Sequence, residues 1–324
     1  MKEEILRILW ENKGAYISGE QISQSLEVSR TAIWKHIKSL KEEGYSIESS
    51  PRSGYCLVGQ PDLLLPEELK RELSTGWLGQ EIHYYRTIDS TNSLAKKLAA
   101  GGAVEGTTII AEEQTAGKGR LGRQWTSPFG LGLWLSVILR PQITPLEAPK
   151  ITMLVSVALQ EAILEATGLL AKIKWPNDIF LEDRKIAGIL LEMSGEMDSI
   201  NHLIVGIGIN VNLAQEDFPQ ELKDKATSLK IELGKKVCRV SLTKLLLVKL
   251  EYYYNLFKQG EGSLLMEKWR SASCTLGKEV RVTTPNEVLE GQAVDFGEDG
   301  SLLVQLSNGS LREIMAGDVT LRRE

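Results

Sequence analysis

The chain has 324 residues, enough for two or three domains, and its 42% hydrophobic and 25% charged content is that of an ordinary globular protein. No apolar run approaches the ~18 residues of a membrane span, and Met1-Lys2-Glu3-Glu4 lacks the parts of a secretory signal, so a cytoplasmic protein without membrane contact is expected. Net charge is −5, which excludes DNA binding over the whole surface and requires any nucleic-acid contact to be local.

Residues 3–11 carry Ile5, Leu6, Ile8 and Leu9 at helical spacing. Ser18-Gly-Glu-Gln21 is a capping box opening a second helix with Ile22 and Leu26 on its apolar face. Glu27-Val28 makes a short turn, and Ser29 caps a third helix that turns Ile33, Ile37 and Leu40 inward. So short a turn between helices points to a helix-turn-helix. Residues 1–60 hold eight basic and eight acidic residues, yet Ser29 to Lys41 contains four cations and no acid. The positive charge therefore lies on the third helix, where a recognition helix needs it. Residues 45–55 read as strand, turn and strand, which completes a winged helix. Arg30, Thr31, Trp34, Lys35 and Lys38 are the expected DNA contacts, with Arg52 at the wing tip reaching phosphate. A three-helix domain for protein contacts, with a solvated basic face, is the other reading. Residues 58–62 read as a linker.

A short helix over 66–73 and a strand over 82–85 follow. Asp89-Ser90-Thr91-Asn92 then opens a helix over 93–100, stopped by Gly101-Gly102. An N-cap explains one of these polar residues, not three in a row. Gln114 ends the next strand, which begins at Thr107. Residues 133–139 form an apolar strand central to a sheet, and 148–166 a long apolar helix packed on it. Residues 172–175 form a strand, 179–182 and 185–192 a hairpin, and 202–212 a strand interrupted by Gly206 and Gly208. Those glycines mean either a ligand lying against the backbone or a tight sheet crossing. Helices at 242–257 and 264–271 precede four short strands (279–284, 288–296, 302–306, 311–315), separated by turns that include Pro285-Asn286 and Asn308-Gly309, the latter a hairpin signal. They point to a small SH3-like barrel. Cys56, Cys238 and Cys274 lack metal-ligand spacing and are expected to be reduced thiols; the three histidines are as scattered, so a zinc site is not expected.

The segment Gly117-Lys-Gly-Arg-Leu-Gly-Arg-Gln-Trp125 sets three glycines among three cations. Glycine lets backbone N–H groups approach an anion, and arginine presents a fork that matches phosphate or carboxylate. Gly117, Gly119 and Gly122 satisfy G-x-G-x-x-G formally. A dinucleotide fingerprint must however open a helix and be followed by an acid about 20 residues on. Pro128 and Gly130 follow at once, and residues 137–142 contain no acid. A Walker A loop fails too, because Gly122 is followed by Arg123-Gln124 rather than Lys-Ser/Thr.

With Asp89-Ser90-Thr91-Asn92, Glu113-Gln114-Thr115, Lys174-Trp175-Pro176-Asn177-Asp178, Lys185-Ile-Ala-Gly-Ile-Leu190 and Gly206-Ile-Gly208-Ile-Asn210-Val-Asn212, this loop resembles the signatures of biotin protein ligases from about residue 64 onward. The N-terminal extension is similar to the bifunctional kind, the biotin operon repressor/ligase of BirA type. Lys118, where arginine is frequent, and Leu121 depart from the common loop.

The resemblance implies an α/β (α+β) chain of three domains. These are a winged helix-turn-helix at 1–60, a class II synthetase-like ligase domain at 64–272 and an SH3-like domain at 275–324. It implies biotin, ATP and Mg²⁺ as substrates and cofactor, and biotinyl-AMP formation followed by transfer to a lysine of a biotin carboxyl carrier domain. It also implies operator DNA as a partner, and a homodimer favoured by the adenylate. Ser90, Thr91, Asn92 and Gln114 would pair with the ureido ring, with Lys118, Gly119, Arg120, Trp125, Lys185, Gly188 and Gly206 completing the biotin site. Arg120, Arg123, Lys174, Asn177 and Asn210 would hold ATP. Lys185, Arg120, Lys174 and Asp178 would carry catalysis, with Asp178 and Asn210 as Mg²⁺ ligands. Without the Lys-Ile-Ala-Gly-Ile-Leu context, Lys185 reads first as a surface lysine at a hairpin tip. Two alternatives remain: a ligand-sensing DNA-binding repressor without catalysis, and a lipoate–protein ligase, whose substrate has no ureido group to match Ser90-Thr91-Asn92.

Overall fold

A computed structural model describes residues 1–59, 62–195, 199–285 and 287–321, apart from the side chain of Glu3. Gln60 and Pro61 of the expected linker, Asn286 of an expected turn, and residues 322–324 lie outside the described residues. The chain forms two compact units, residues 1–63 and residues 64 onward.

The first unit contains α1 (Lys2–Glu11), α2 (Gly19–Leu26), α3 (Arg30–Glu42) and an antiparallel hairpin of β1 (Ser46–Ser50) and β2 (Gly54–Gly59). The capping box forms as expected. Ser18 Oγ accepts from Gln21 N and Gln21 Oε1 accepts from Ser18 N, both at 3.0 Å. Glu27 ends α2 in the left-handed region, and Ser29 Oγ accepts from Ala32 N at 3.2 Å to start α3. Ile5, Leu9, Ile22, Ile33, Leu40 and Leu57 are fully buried. Each contributes about 1.5–3 kcal/mol of apolar burial, which holds three short helices and a hairpin together. Gly54, at φ +98°, lies against the Ile17 carbonyl, where a Cβ would come within 2.1 Å; the wing can dock only with glycine there.

The second unit opens with α4 (Pro66–Lys70), which is shorter than expected because Arg71 is extended and Glu72 takes φ +59°. It continues with β3 (Ile82–Ile88), α5 (Thr91–Ala100), β4 (Thr108–Gln114), β5 (Gly132–Leu139), α6 (Ala148–Thr167), β6 (Lys172–Lys174), β7 (Asp178–Leu181), β8 (Arg184–Gly195) and β9 (Ile200–Asn210). Then come α7 (Leu229–Leu233), α8 (Arg239–Lys258) and α9 (Gly262–Ala272). Seven strands form one sheet in the order β3-β4-β5-β9-β8-β7-β6. Only β3 and β4 are parallel, linked through α5; the other neighbours are antiparallel.

Strand alternation divides the sheet's two faces. On β5, Leu133, Leu135, Val137 and Leu139 enter the large core that α6, α8 and α9 cover. Ile138 faces the other way, onto Ala95 and Ala99 of α5. All eight residues of β5 are buried, as the apolar run predicts.

The last strands, β10 (Glu279–Thr283), β11 (Val288–Phe296), β12 (Leu302–Leu306), β13 (Leu311–Ile314) and β14 (Asp318–Leu321), form an antiparallel sheet ordered β13-β12-β11-β10-β14. Four strands were expected. The fifth, β14, begins at a charged residue near the chain end and has only four residues, too few for a clear alternation. This sheet shares the core of the larger one. The Trp269 and Phe296 rings lie 4.0 Å apart between centroids, and Trp175 Nε1 donates to the Gly300 carbonyl at 3.0 Å. The short strands thus deliver Asp318 to the site described next.

Candidate active site

A cavity of about 340 Å³ opens on the second unit at the face opposite α6 and α8. Its wall includes Ser90, Thr91, Asn92, Gln114, Lys118, Gly119, Arg120, Arg123, Trp125, Asn177, Asp178, Lys185, Gly188, Gly206 and Asn210. Of the residues expected to bind biotin or ATP, Lys174 alone is outside that wall. It stands on β6 directly opposite the lining residue Asp178, with Nζ 4.9 Å from the centroid of Phe180, which also faces the cavity. Burial pushes the Lys174 ammonium pKa below its usual value, although Asp178 acts in the opposite direction.

The polar end of the cavity is built from the start of α5 and the end of β4. Ser90 caps α5, accepting from Ser93 N at 3.4 Å, so the N-cap role is real but accounts only for Ser90. Gln114 Oε1 accepts from Thr91 N at 2.9 Å, and Gln114 Nε2 donates to Ser127 Oγ at 2.9 Å. Asn92 Nδ2 donates to Glu192 at 2.8 Å. Thr91 and Asn92 also contact Ser136 of β5. The two glycines of β9 line the cavity and also make room for side chains of the protein itself. A Cβ on Gly206 would meet Asn92 Oδ1 at 2.2 Å, and one on Gly208 would meet the Trp125 indole at 2.5 Å. The sheet is bare there so that the protein's own side chains can lie flat on it.

The glycine-rich loop folds back on itself. Gly119 N donates to Arg123 O at 2.7 Å, and Leu121 takes φ 55° with its side chain 73% exposed. Arg120 Nη1 donates to Asn177 Oδ1 at 2.7 Å and its Nη2 to the Gly317 carbonyl at 3.1 Å. Arg123 pairs with Asp318. Asn177 is occupied at both ends, since its Nδ2 donates to Ile189 O at 2.7 Å. At the centre Lys185 Nζ lies 2.6 Å from Asp178 Oδ1 and 5.1 Å from the Trp125 ring centroid. It is thus a wall residue of the cavity rather than an isolated hairpin-tip lysine.

Counting the wall by charge, Lys118, Arg120, Arg123, Lys185 and Lys225 face Asp178 and Asp318. Five cations against two acids make an electropositive chamber, suited to a carboxylate and a polyphosphate together. For a metal, Asp178 and Asn210 offer three side-chain oxygens, one of which, Asp178 Oδ1, is paired with Lys185. Asn210 Nδ2 donates to Thr227 O at 3.1 Å, which leaves its Oδ1 free of that bond. Among the described residues no group of three His, Cys, Asp or Glu could hold a metal ion. Mg²⁺ needs about six oxygens, so these residues fit an ion that arrives already held by phosphates and water.

Sequence reasoning missed Ser136, Glu192, Lys225 and Asp318. Ser136 left a signal, as the one polar residue in the apolar run 133–139. Glu192 and Asp318 left none, because their partners are 100 and 195 residues away.

In the first unit Arg30, Thr31, Trp34, Lys38 and Arg52 line one concave face between α3 and the wing. Trp34 is 55% exposed, and Lys41 Nζ donates to Ser49 Oγ at 2.9 Å, tying α3 to β1. Lys35 is exposed but does not line that face.

Residues 84–210 match the biotin/lipoate A/B protein ligase family, residues 2–56 a helix-turn-helix domain and residues 275–322 the biotin protein ligase C-terminal domain. A bifunctional ligase/repressor BirA of Bacillus subtilis is 38% identical over 321 residues, 99% of this chain and 98% of that protein. The chain belongs to the BirA family of bifunctional ligase/repressors. The Escherichia coli BirA is 30% identical, covering 95% of this chain and 94% of its own length. A solved biotin protein ligase from Aquifex aeolicus, in complex with biotin and ATP, matches 76% of this chain and all of its own, with 31% identity and a TM-score of 0.66. The BirA family thus accounts for a helix-turn-helix and a ligase in one chain. Among the described residues no helix is long and apolar enough to cross a membrane.

Proposed function

We propose that the chain condenses biotin with ATP, giving biotinyl-5′-AMP and pyrophosphate. It then transfers the biotinyl group to a lysine of a biotin carboxyl carrier domain. One observation carries the reading: a single cavity gathers the hydrogen-bonding side chains of Thr91, Asn92 and Gln114 together with five cations. A ureido ring, with one acceptor and two N–H donors, suits Thr91, Asn92 and Gln114. The carboxylate and the α-phosphate are both anions, and their approach requires Lys118, Arg120, Arg123 and Lys185 to screen them. Lys185 leaves Asp178 for the reacting oxygens; Asp178 and Asn210 would hold the Mg²⁺ carried by ATP, which would neutralise phosphate charge. Trp125 covers the biotin and the loop closes over the adenylate. Residues 1–60, 64–272 and 275–324 act as DNA-binding, catalytic and accessory modules of a cytoplasmic protein. Incubating the protein with ATP, Mg²⁺ and either biotin or lipoate, and weighing the adenylate by mass spectrometry, tests this. Pyrophosphate release with biotin is the expected result; none with either acid would leave only a DNA-binding regulator.

Arg120 is the residue that closes the loop, since it bridges Asn177 and the Gly317 carbonyl. Hydrogen bonds from a charged group contribute about 1.5–3 kcal/mol each. Arg120→Gly should therefore release the adenylate at least about tenfold faster, and bystander proteins should become biotinylated on lysine. Streptavidin blots of an added inert protein check this; unchanged retention would remove Arg120 from the gating role.

The first unit would bind an operator through α3, with two copies on a palindrome when the adenylate favours a homodimer. Operator affinity should rise at least about tenfold when biotin and ATP are added together, fall when unbiotinylated acceptor is supplied, and fall with salt. Arg30→Ala and Trp34→Ala should weaken operator binding without altering ligation. Gel-shift titrations read all of these, and equal affinity with and without the adenylate would rule out the biotin switch.

A further inference from the structure

Lys185 is held by its backbone on both edges of β8. On one edge it stands opposite Phe180 of β7. On the other edge β9 does not reach it, because the β8–β9 pairing begins with Ala187 opposite Ile209. A strap of residues 225–227 takes the place of β9 there. Lys185 N donates to the Lys225 carbonyl at 2.9 Å, and Thr227 N donates to the Lys185 carbonyl at 3.0 Å, a parallel bridge across Ala226. Two backbone hydrogen bonds at a strand end contribute little where water competes for them, so the strap needs an anchor. Thr227 supplies it. The residue is fully buried, and its hydroxyl donates to the Glu232 carboxylate on α7. The same carboxylate oxygen accepts from Arg184 Nη2 at 2.7 Å. Arg184 is the neighbour of Lys185, so one oxygen clamps the strap and the strand together, and its charge strengthens both bonds. The strap is tied further to β9, because the Thr227 carbonyl accepts from Asn210 Nδ2 at 3.1 Å. Ser228 completes the anchorage: its Oγ accepts from Ile231 N at 3.1 Å to start α7 and donates to the Leu213 carbonyl at 2.6 Å.

We infer that Thr227 is a positioning residue for adenylation: its hydroxyl, clamped with Arg184 on Glu232, holds the strap on β8 and so fixes the backbone from which Lys185 reaches the reacting oxygens. The inference rests on the adenylation reading of this cavity and deepens it. Thr227 itself does not line the cavity, whereas Lys185, Lys225, Ala226 and Asn210, the residues it holds, all do. The Lys185 side chain runs over Gly188, where a Cβ would lie 3.2 Å from its Nζ, and the ammonium ends 2.6 Å from Asp178. A long side chain on that course is aimed by its backbone, and a misplacement of about 1 Å costs a large part of the rate.

The test is single-turnover adenylation of biotin by the full chain at saturating ATP. Thr227→Val keeps the shape and both backbone bonds and removes only the hydroxyl. It should slow adenylation at least about tenfold. KM for biotin should stay unchanged, because Thr91, Asn92 and Gln114 are untouched. Thr227→Ser restores the hydroxyl and should return most of the rate. In a Lys185→Ala background Thr227→Val should cost nothing further, since no ammonium is left to position. Glu232→Ala breaks the clamp from its partly exposed end and should reproduce the slow rate even where Thr227→Val folds poorly. A wild-type rate in folded Glu232→Ala or folded Thr227→Val would overturn the inference. So would a serine variant as slow as the valine one, or an equal further loss in the Lys185→Ala background, because the effect would then not run through Lys185. Failure of the wild-type chain to release pyrophosphate with biotin and ATP would overturn the adenylation reading and this inference with it.

Discussion

Lys185→Ala should slow adenylate formation at least ~100-fold, the scale of removing one electrostatic contact made in the transition state. The ammonium stands 2.6 Å from Asp178 and 5.1 Å from the Trp125 ring, between the polar wall and the loop cations. Its removal takes away the cation best placed to touch both the attacking carboxylate and the α-phosphate. It also leaves Asp178 as a bare negative charge beside two anionic substrates, so the loss is double. Lys185→Arg keeps the charge but not the compact ammonium, and should recover only part of the rate. Single-turnover adenylation at saturating biotin and ATP is the measurement, because it separates chemistry from product release. A near-wild-type single-turnover rate for Lys185→Ala would withdraw it from catalysis.

The second large effect is on stability. Glu112 of β4 and Arg239 at the start of α8 form an ion pair of 2.8 Å in which both side chains are fully buried. Glu112 also accepts from Leu64 N at 2.7 Å, and Arg239 donates to the Gly132 carbonyl at 3.1 Å. The pair therefore joins the first residue of the second unit, strands β4 and β5 and helix α8. Glu112→Leu should destabilise that unit by about 3–5 kcal/mol, because it strands a buried guanidinium and an amide N–H. Replacing both partners, as Glu112→Leu with Arg239→Met, should recover much of the loss, since no charge is then left uncompensated. Urea unfolding of the single and double variants measures this. If the single variant loses less than about 1 kcal/mol, the pair does not hold the unit together.

The order of elements was legible in the chain because each depends on neighbours a few residues away. The capping box at Ser18, the short turn at Glu27-Val28 and the apolar run through β5 are local facts, and the structure repeats them. The polar turn at Ser90-Thr91-Asn92, the loop at 117–125 and Lys185 were legible as motifs, because a small anionic ligand demands glycines and cations at short spacing. Element ends were less so: α4 stops early at Arg71 and Glu72, and β14 is too short to announce itself.

What only the tertiary structure decided are the partnerships. Gly206 and Gly208 are bare because Asn92 and Trp125 lie on them, a fact about side chains 114 and 83 positions away. Lys174 finds Asp178 across the β6–β7 pair and Phe180 beside it, two residues that line the cavity although it does not line it itself. Arg120 and Arg123 find Gly317 and Asp318 on a sheet that sequence reasoning set apart as a separate domain. A hydrogen bond or an ion pair acts over a few ångströms in space, whatever the separation along the chain. Residue types and local spacing therefore determined what chemistry this protein carries, and the folding of distant strands against one another decided which group faces which.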